Sequence, residues 1–276
     1  MNNFEKTPQA VNALKNEHLA EKVAPITGAI HDRDNLDPET SKYLEEFKKT
    51  AEPVDFGYKQ EKFRASITDD IREGTYVMSL IDGRNKFSED FLDCTGTLFS
   101  GIDSKTGGNI SFMSHQNPGA LFRNDEAREK FNEDLNNRID DLIKRCRPNT
   151  IDAVIFGGND SMEDIKSNLF DDSNFDLNKI NENFHEITND KNENYRKSIK
   201  LLNNIIFAKL HYSPVVMSGF NNKHHNKDNS LGAYFDNDHR QLHMVRPGQN
   251  SINNESFLAS DISSQIEKIN KYENGK

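Results

Sequence analysis

The regular pattern of apolar and polar positions is clearest in the middle of the chain. Residues Thr75–Ile81 have the composition of a β-strand, and Asp82-Gly83 ends it with turn-forming residues. Residues Thr95–Ile102 and Asn109–Ser114 predict two further strands, and the segment between them is rich in Gly, Ser, Thr and Asp. We therefore expect these two strands to form a β-hairpin.

Helical spacing of apolar residues appears in two longer segments, Ala127–Cys146 and Tyr195–Leu210. A short apolar run follows each of them, and a strand–turn–strand pattern comes after the second: Ile151–Phe156, Pro214–Ser218, Ser230–Phe235 and Arg240–Val245. Helices that alternate with strands pack against a sheet. The pattern thus predicts the α/β class, an α+β layered sandwich with a mixed, largely antiparallel sheet and helices packed against it.

The quality of the pattern also divides the chain. Residues 1–70 are polar, with weak helical signals near Ala10–Val23 and Pro38–Ala51, and predict an extension that packs on the domain or forms an arm. Residues 71–250 predict the main domain, interrupted at 159–193 by an acidic, Asn-rich insertion. Residues 251–276 predict a tail with the apolar spacing of one short helix.

Composition narrows the possible partners and compartments. The formal net charge of −10 argues against nucleic acid and against an anionic membrane surface, because both attract basic proteins. Two cysteines do not make a disulfide framework, and no apolar run reaches the ~18 residues of a membrane span. Because the first residues lack an apolar signal-peptide core, we expect a cytoplasmic location or export by a route that needs no signal peptide.

The hairpin brings a possible nucleophile and a possible base together. Cys94 and His115 are almost equidistant from Lys105, so antiparallel pairing places both at the open end of the hairpin. A thiol next to an imidazole suits acyl transfer, with histidine acting as base and then as acid. The alternative is a buried structural cysteine, which is a common state of a free thiol. We expect Cys146, on the apolar stripe of its helix, to be of that structural kind.

An oxygen-bearing side chain would have to orient the imidazole. Three residues upstream of the cysteine are candidates, and the spacing leaves the choice open: Ser88, Asp90 and Asp93. The pair Gly157-Gly158 ends an apolar strand and predicts a tight turn that lines a substrate cleft. Four histidines fall near the last two strands without a recognised metal-ligand spacing: His224, His225, His239 and His243. We therefore expect no metal and no cofactor.

Three blocks of sequence, in order, resemble the chemoreceptor glutamine deamidase CheD and the catalytic domains of cytotoxic-necrotizing-factor toxins. The first block is Leu92–Leu98 with Asp103, Gly107-Gly108, His115 and Pro118; the second is the helix Phe131–Cys146 with the strand that ends in Phe156-Gly157-Gly158; the third is the helix Tyr195–Leu210, the strand that ends in Ser218-Gly219 and the hairpin Leu231–Val245. The resemblance covers roughly residues 75–246.

By this resemblance Cys94 is the nucleophile, His115 is the general base and acid, and Ser88 supplies the third, hydroxyl-bearing residue. The sequence departs from the family at Leu92-Asp93, where the family has Gly-Ser, and a carboxylate beside the cysteine opposes thiolate formation. The implied activity is deamidation of a glutamine in a protein substrate, as in a bacterial effector or toxin. The alternatives are another Cys–His reaction, such as peptide cleavage or transglutamination, and a protein-binding module without catalysis.

Overall fold

The computed structural model describes residues 25–56, 74–91, 93–157, 191–211, 214–218 and 231–246. Ten strands lie in these ranges: β1 (Thr27–Asp32), β2 (Glu52–Pro53), β3 (Tyr76–Met78), β4 (Lys86–Ser88), β5 (Thr95–Ile102), β6 (Asn109–Gln116), β7 (Asp152–Gly157), β8 (Val215–Ser218), β9 (Gly232–Asp236) and β10 (Gln241–Arg246). The helices are α1 (Pro38–Thr50), α2 (Pro118–Leu121), α3 (Asp125–Arg145) and α4 (Lys191–Leu210), with a 3-10 turn at Arg33–Asn35. The predicted layered α/β architecture is confirmed.

The strands form two mixed five-stranded sheets, where the sequence pattern indicated one. Sheet A has the order β1-β10-β9-β4-β2, with β1 parallel to β10 and β2 parallel to β4. Sheet B has the order β3-β6-β5-β7-β8, and only its β7–β8 pair is parallel. The predicted hairpin is the β5–β6 pair at the centre of sheet B.

Alternation along the strands separates three apolar clusters and thereby sets the layers. One cluster combines inward residues of both sheets, including Leu98 and Met113 from sheet B with Phe235 and Met244 from sheet A. A second cluster joins the other face of sheet B to α3 and α4. A third joins the other face of sheet A to α1. The result is a four-layer α/β/β/α sandwich, in which each sheet buries both faces.

The first helix shows why a polar segment still folds onto this sandwich. Asp37 caps α1 by accepting a hydrogen bond from the Thr40 N–H at 2.8 Å, and Pro38 occupies the first turn, where its missing N–H costs nothing. The helix then buries Leu44 and Phe47 against sheet A. Two apolar anchors and a cap are therefore sufficient for this helix.

The described part of the predicted extension is built into the sandwich. Strand β1 pairs with β10 along its whole length, and the Ile26 N–H donates to the Asp152 carboxylate in sheet B at 2.8 Å. The boundary predicted at residue 70 therefore does not separate residues 25–56 from the main domain. The possible helix near Ala10–Val23, most of the predicted insertion and the predicted tail lie outside the described residues. In the described ranges, the helices are all too short or too polar to cross a bilayer.

Candidate active site

The β5–β6 register fixes the relation between Cys94 and His115. His115 in β6 pairs with Gly96 in β5, and Cys94 lies two residues before Gly96, just outside the strand. Residues two apart on a strand face the same side. In agreement with this, Cys94 packs against the apolar cluster between the sheets, and Phe91 of that cluster stacks on the His115 ring at a centroid distance of 4.0 Å. Both side chains therefore face sheet A.

Gly96 makes room for the ring stack above the histidine. A Cβ atom at this position would lie 2.4 Å from the nearest ring atom of Phe156 and 2.9 Å from that of Phe91. Since real Cβ atoms do not approach other atoms so closely, any side chain here would displace one of the rings. The absence of a side chain at Gly96 thus allows Phe91 to cover His115.

The imidazole of His115 is buried and unevenly partnered. Its side chain is 2% exposed, with Phe91 on one side and Phe56 at a centroid distance of 4.6 Å. Nδ1 lies 2.9 Å from Ser88 Oγ and 3.1 Å from Asp55 Oδ1. Nε2 is buried and has no hydrogen-bond partner among the described residues. Nδ1 is therefore held by hydrogen-bond partners, and Nε2 is available to accept a proton or a hydrogen bond.

Sheet A supplies the residues that hold Nδ1. Ser88 ends β4, and its hydroxyl lies 2.7 Å from the Val54 carbonyl oxygen and 2.5 Å from Asp55 Oδ1. Asp55 follows β2, which runs parallel to β4. The same Asp55 oxygen accepts a hydrogen bond from the Glu89 N–H at 3.0 Å. The site is thus assembled across the two sheets.

The acceptors around Ser88 indicate which imidazole nitrogen carries the proton. The hydroxyl has one proton, whereas the Val54 carbonyl and an ionised Asp55 carboxylate can only accept. If that proton went to His115 Nδ1, Ser88 Oγ would face two acceptor oxygens at short distance without a proton between them. The arrangement therefore favours an Nδ1–H imidazole that donates to Ser88 or Asp55. Its Nε2 then carries a lone pair.

Cys94 is a protonated thiol in this environment. Burial, and then the negative charges of Asp93, Asp55 and Asp90, together raise its pKa to about 12. The carboxylate of Asp93, next to Cys94 in the chain, thus opposes thiolate formation, as expected from the sequence. No hydrogen bond joins Cys94 to His115 among the described contacts. Catalytic hydrogen bonds are often long or absent before substrate binds.

Gly157 lies against the backbone of the candidate nucleophile. It ends β7 with a φ of +103°, and a Cβ there would lie 2.5 Å from the Cys94 carbonyl oxygen. The Tyr195 hydroxyl donates to the Gly157 carbonyl at 2.6 Å, which fixes this strand end against α4. Gly158 lies outside the described residues, and a role for this turn in binding substrate remains a prediction.

The other candidates from the sequence lie away from this site. Cys146 follows α3 and is buried with the cluster on the helix side of sheet B, as expected of a structural thiol. His239 bonds Asp236 at 2.9 Å, and His243 bonds His31 at 3.0 Å. His224 and His225 lie outside the described residues. In the parts of the chain that are described, no three potential ligands form a group that would hold a metal ion.

Asp55 is the site residue that sequence reasoning missed. It falls in the segment that the sequence assigned to the extension, and the strand before it, Glu52–Pro53, is only two residues long. Such a strand is too short to show an alternating pattern. Only the pairing of β2 with β4 reveals that residue 55 lies beside residue 88.

The chain was compared with known protein families, curated proteins and solved structures. No family model, no curated protein and no solved structure matches the chain. Any functional assignment therefore depends on the geometry of the site and on the short motifs described above.

Proposed function

We propose that this chain is a protein-glutamine deamidase that uses Cys94 as nucleophile, His115 as general base and acid, and Ser88 as the residue that orients the imidazole. One observation carries the proposal: Ser88 Oγ lies 2.9 Å from His115 Nδ1, the buried Nε2 has no hydrogen-bond partner among the described residues, and Cys94 packs against the same apolar cluster as Phe91, which covers the ring. This arrangement is that of a base held ready for a proton.

The hydroxyl supports this assignment beyond the general resemblance to CheD. Of the three upstream candidates for the third role, Ser88 makes the hydrogen bond to the imidazole. It is fully buried at the end of a strand, so the bond does not depend on a mobile side chain. The family resemblance had nominated the same residue.

The chemistry uses both states of the imidazole. His115 Nε2 removes the proton from Cys94 Sγ as the sulfur attacks the carboxamide carbon of glutamine. The C–N bond then breaks, and the protonated imidazole gives its proton to the departing ammonia, which leaves a thioester. His115 next takes a proton from water, which attacks the thioester and releases glutamate and the Cys94 thiol. Carboxamide and water are thus converted to carboxylic acid and ammonia, and no cofactor is required.

The raised pKa of Cys94 determines how this reaction would begin. A thiol with a pKa of about 12 contains almost no thiolate at neutral pH, so the resting site is not an ion pair. The proton must move to His115 during the attack, when a bound substrate excludes water and draws the two groups together. We therefore expect reactivity to depend on substrate more strongly than in enzymes with a preformed thiolate.

A protein is the proposed substrate because the site needs binding energy to assemble. Free glutamine offers few contacts that could position its carboxamide at a half-buried thiol. A folded partner could contribute contacts over a larger surface, and a formal charge of −10 favours a partner with a neutral or basic face.

The test is mass spectrometry of protein extracts after incubation with wild type or with the Cys94→Ser variant. Cys146→Ser is the matched control, since it removes the other thiol. A gain of about one dalton at a glutamine, present with wild type and Cys146→Ser but lost in Cys94→Ser, would support deamidation. A Cys94-dependent backbone cut would favour a protease, and an amine cross-link would favour a transglutaminase. No Cys94-dependent change would favour a binding module.

A further inference from the structure

Asp55 makes more contacts in the site than its place in the sequence suggests. Its side chain is 16% exposed, and a single oxygen, Oδ1, lies within hydrogen-bond distance of three groups. These groups are Ser88 Oγ at 2.5 Å, the Glu89 N–H at 3.0 Å and His115 Nδ1 at 3.1 Å. The carboxylate thus touches both the imidazole and the hydroxyl that orients it.

The backbone holds this carboxylate in place independently of the imidazole. The Val54 N–H donates to the Phe87 carbonyl at 2.8 Å, which extends the β2–β4 pairing by one residue toward Asp55. The bond from the Glu89 N–H then anchors Oδ1 itself. Asp55 therefore has backbone anchors that do not involve His115.

We propose that Asp55 is a positioning residue of the site: its carboxylate keeps the proton of His115 on Nδ1 and stabilises the imidazolium that forms when Nε2 takes the proton of Cys94. The inference rests on the proposed roles of Cys94 and His115. A carboxylate beside the orienting nitrogen does this in Ser-His-Asp triads, where replacing it with an amide lowers kcat by about 10⁴. In this chain a hydroxyl and a carboxylate share the task.

The Asp55 carboxylate influences thiolate formation at Cys94 in two opposite ways. The proposal can therefore be tested by whether the reactivity of Cys94 rises or falls when Asp55 is neutralised. As a bare negative charge, Asp55 opposes thiolate formation. Through His115 it favours the same step, because it stabilises the cation that results. If Asp55 is only a nearby charge, its neutralisation will make Cys94 more reactive. If it positions the base, neutralisation will make Cys94 less reactive.

The experiment measures alkylation of Cys94 by iodoacetamide at pH 7 in the full chain, with Cys146→Ser in every sample so that one thiol remains. Asp55→Asn keeps an oxygen for the Glu89 N–H and removes the charge. Asp93→Asn is the matched control, since Asp93 also raises the thiol pKa. We expect Asp55→Asn to slow alkylation about tenfold or more, given that general-base assistance is typically worth 10²–10⁴. Asp93→Asn should accelerate it.

A second background isolates the path through the imidazole. With His115→Gln also present, Asp55→Asn should accelerate alkylation as Asp93→Asn does, because only the direct charge effect remains. Thermal melting identifies any variant that has lost its fold, and Asp55→Glu should recover part of the rate by restoring the charge. Acceleration by Asp55→Asn in the chain that retains His115 would overturn the proposal.

A readout without any reaction comes from ¹⁵N NMR of histidine-labelled protein, with His115→Gln used to assign the signal. Wild type should show a protonated Nδ1 and an unprotonated Nε2. Ser88→Ala should keep this tautomer, because the carboxylate remains 3.1 Å from Nδ1, whereas Asp55→Ala should populate the Nε2–H form. An unchanged tautomer in Asp55→Ala would contradict the role of Asp55.

These measurements separate this proposal from the proposed function. Deamidation by wild type together with faster alkylation in Asp55→Asn would remove Asp55 from the mechanism and leave the deamidase proposal standing. A histidine-dependent slowing in Asp55→Asn without any deamidation would support the role of Asp55 and refute the deamidase proposal.

Discussion

One of the two cysteines lies at each end of the β5–β6 hairpin, and the two sulfur atoms differ in their surroundings. Cys94 lies at the open end, on the face between the sheets. Cys146 pairs with Asp103 at the closed end and packs on the helix side of the same sheet. Burial raises the pKa of both thiols, to about 12 and about 11 respectively. Resting acidity therefore does not distinguish them.

The two thiols differ in the availability of a base. On the face of sheet B where Cys94 packs, the His115 imidazole has a buried Nε2 without a hydrogen-bond partner among the described residues. At the other end, Cys146 fills the space above Gly101, where a Cβ would lie 2.5 Å from Cys146 Sγ. Cys94 is thus the candidate nucleophile because of the histidine on the same face, whereas Cys146 has a structural role in packing. The following predictions test this difference.

The largest expected effect is the loss of activity on replacing one thiol and not the other. Cys94→Ser should lower deamidation by at least about 10³-fold, since removing a nucleophile eliminates the covalent route. Cys146→Ser should retain most of the turnover of the folded protein. Mass spectrometry of substrate, with melting curves for both variants, makes the measurement. Equal losses in two folded variants would remove the distinction between the thiols.

A matched pair of glycine substitutions in β5 compares the packing at the two ends. Gly96→Ala should cost about 1–3 kcal/mol, as overpacking typically does, because its Cβ meets two aromatic rings. It should also slow alkylation of Cys94, because it displaces Phe91 from His115.

Gly101→Ala serves as the control for that substitution. Its Cβ meets mainly the small side chain of Cys146, so adding Cys146→Ala should recover much of the lost stability. Denaturant unfolding measures both. Recovery of Gly96→Ala by Cys146→Ala would show that the two ends of the hairpin are not independent.

A smaller effect is expected for Ser88→Ala. Loss of the hydrogen bond that orients His115 should cost about 0.5–1.5 kcal/mol of transition-state stabilisation, which lowers kcat/KM by up to about tenfold. Asp55 still contacts the imidazole, so the loss should stay below that of Cys94→Ser. Steady-state kinetics on an identified substrate measures it. A loss as large as that of the nucleophile would mean that the hydroxyl, and not the carboxylate, dominates the orientation.

The last prediction concerns the contribution of the two thiols to stability in alkali. Each pKa is raised above its ordinary value of 9.0, so each thiol favours the folded state fully below pH 9. That advantage is lost as pH rises, over the range to about 12 for Cys94 and about 11 for Cys146. Cys94→Ala and Cys146→Ala should therefore each flatten the fall in Tm above pH 9. A fall in Tm that neither substitution changes would indicate that the thiols ionise equally readily in the folded and the unfolded chain.

The sequence predicted the parts of the fold whose patterns are long and local. The eight-residue strands of the hairpin and the helices α3 and α4 each repeat an apolar spacing often enough to be recognised. Of sheet A only the β9–β10 pair was predicted, because β2 and β4 span two and three residues. The strand β1 also escaped, because its partner β10 lies about two hundred residues away in the chain.

The same contrast applies to the candidate site. Cys94 and His115 share a hairpin, so turn geometry alone could bring them together. Ser88 was nominated through a family resemblance, since nothing in its own segment indicates that it faces an imidazole. Asp55 lies in the site because the short strands β2 and β4 pair in parallel. Strands this short show no periodic pattern in the sequence. Long-range pairing of short strands is therefore what limits prediction here.

The order of strands in sheet A has a consequence for the chain as it is synthesised. Ser88 lies in β4, whose antiparallel partner β9 begins at residue 232, far downstream of the hairpin that carries Cys94 and His115. A ribosome that has not yet translated β9 can release a folded hairpin from its exit tunnel, but not the sheet that seats the hydroxyl. The thiol and its base would then exist for a time without their orienting groups. A nascent chain would thus carry its proposed nucleophile in an inactive form until nearly all of the sandwich has emerged.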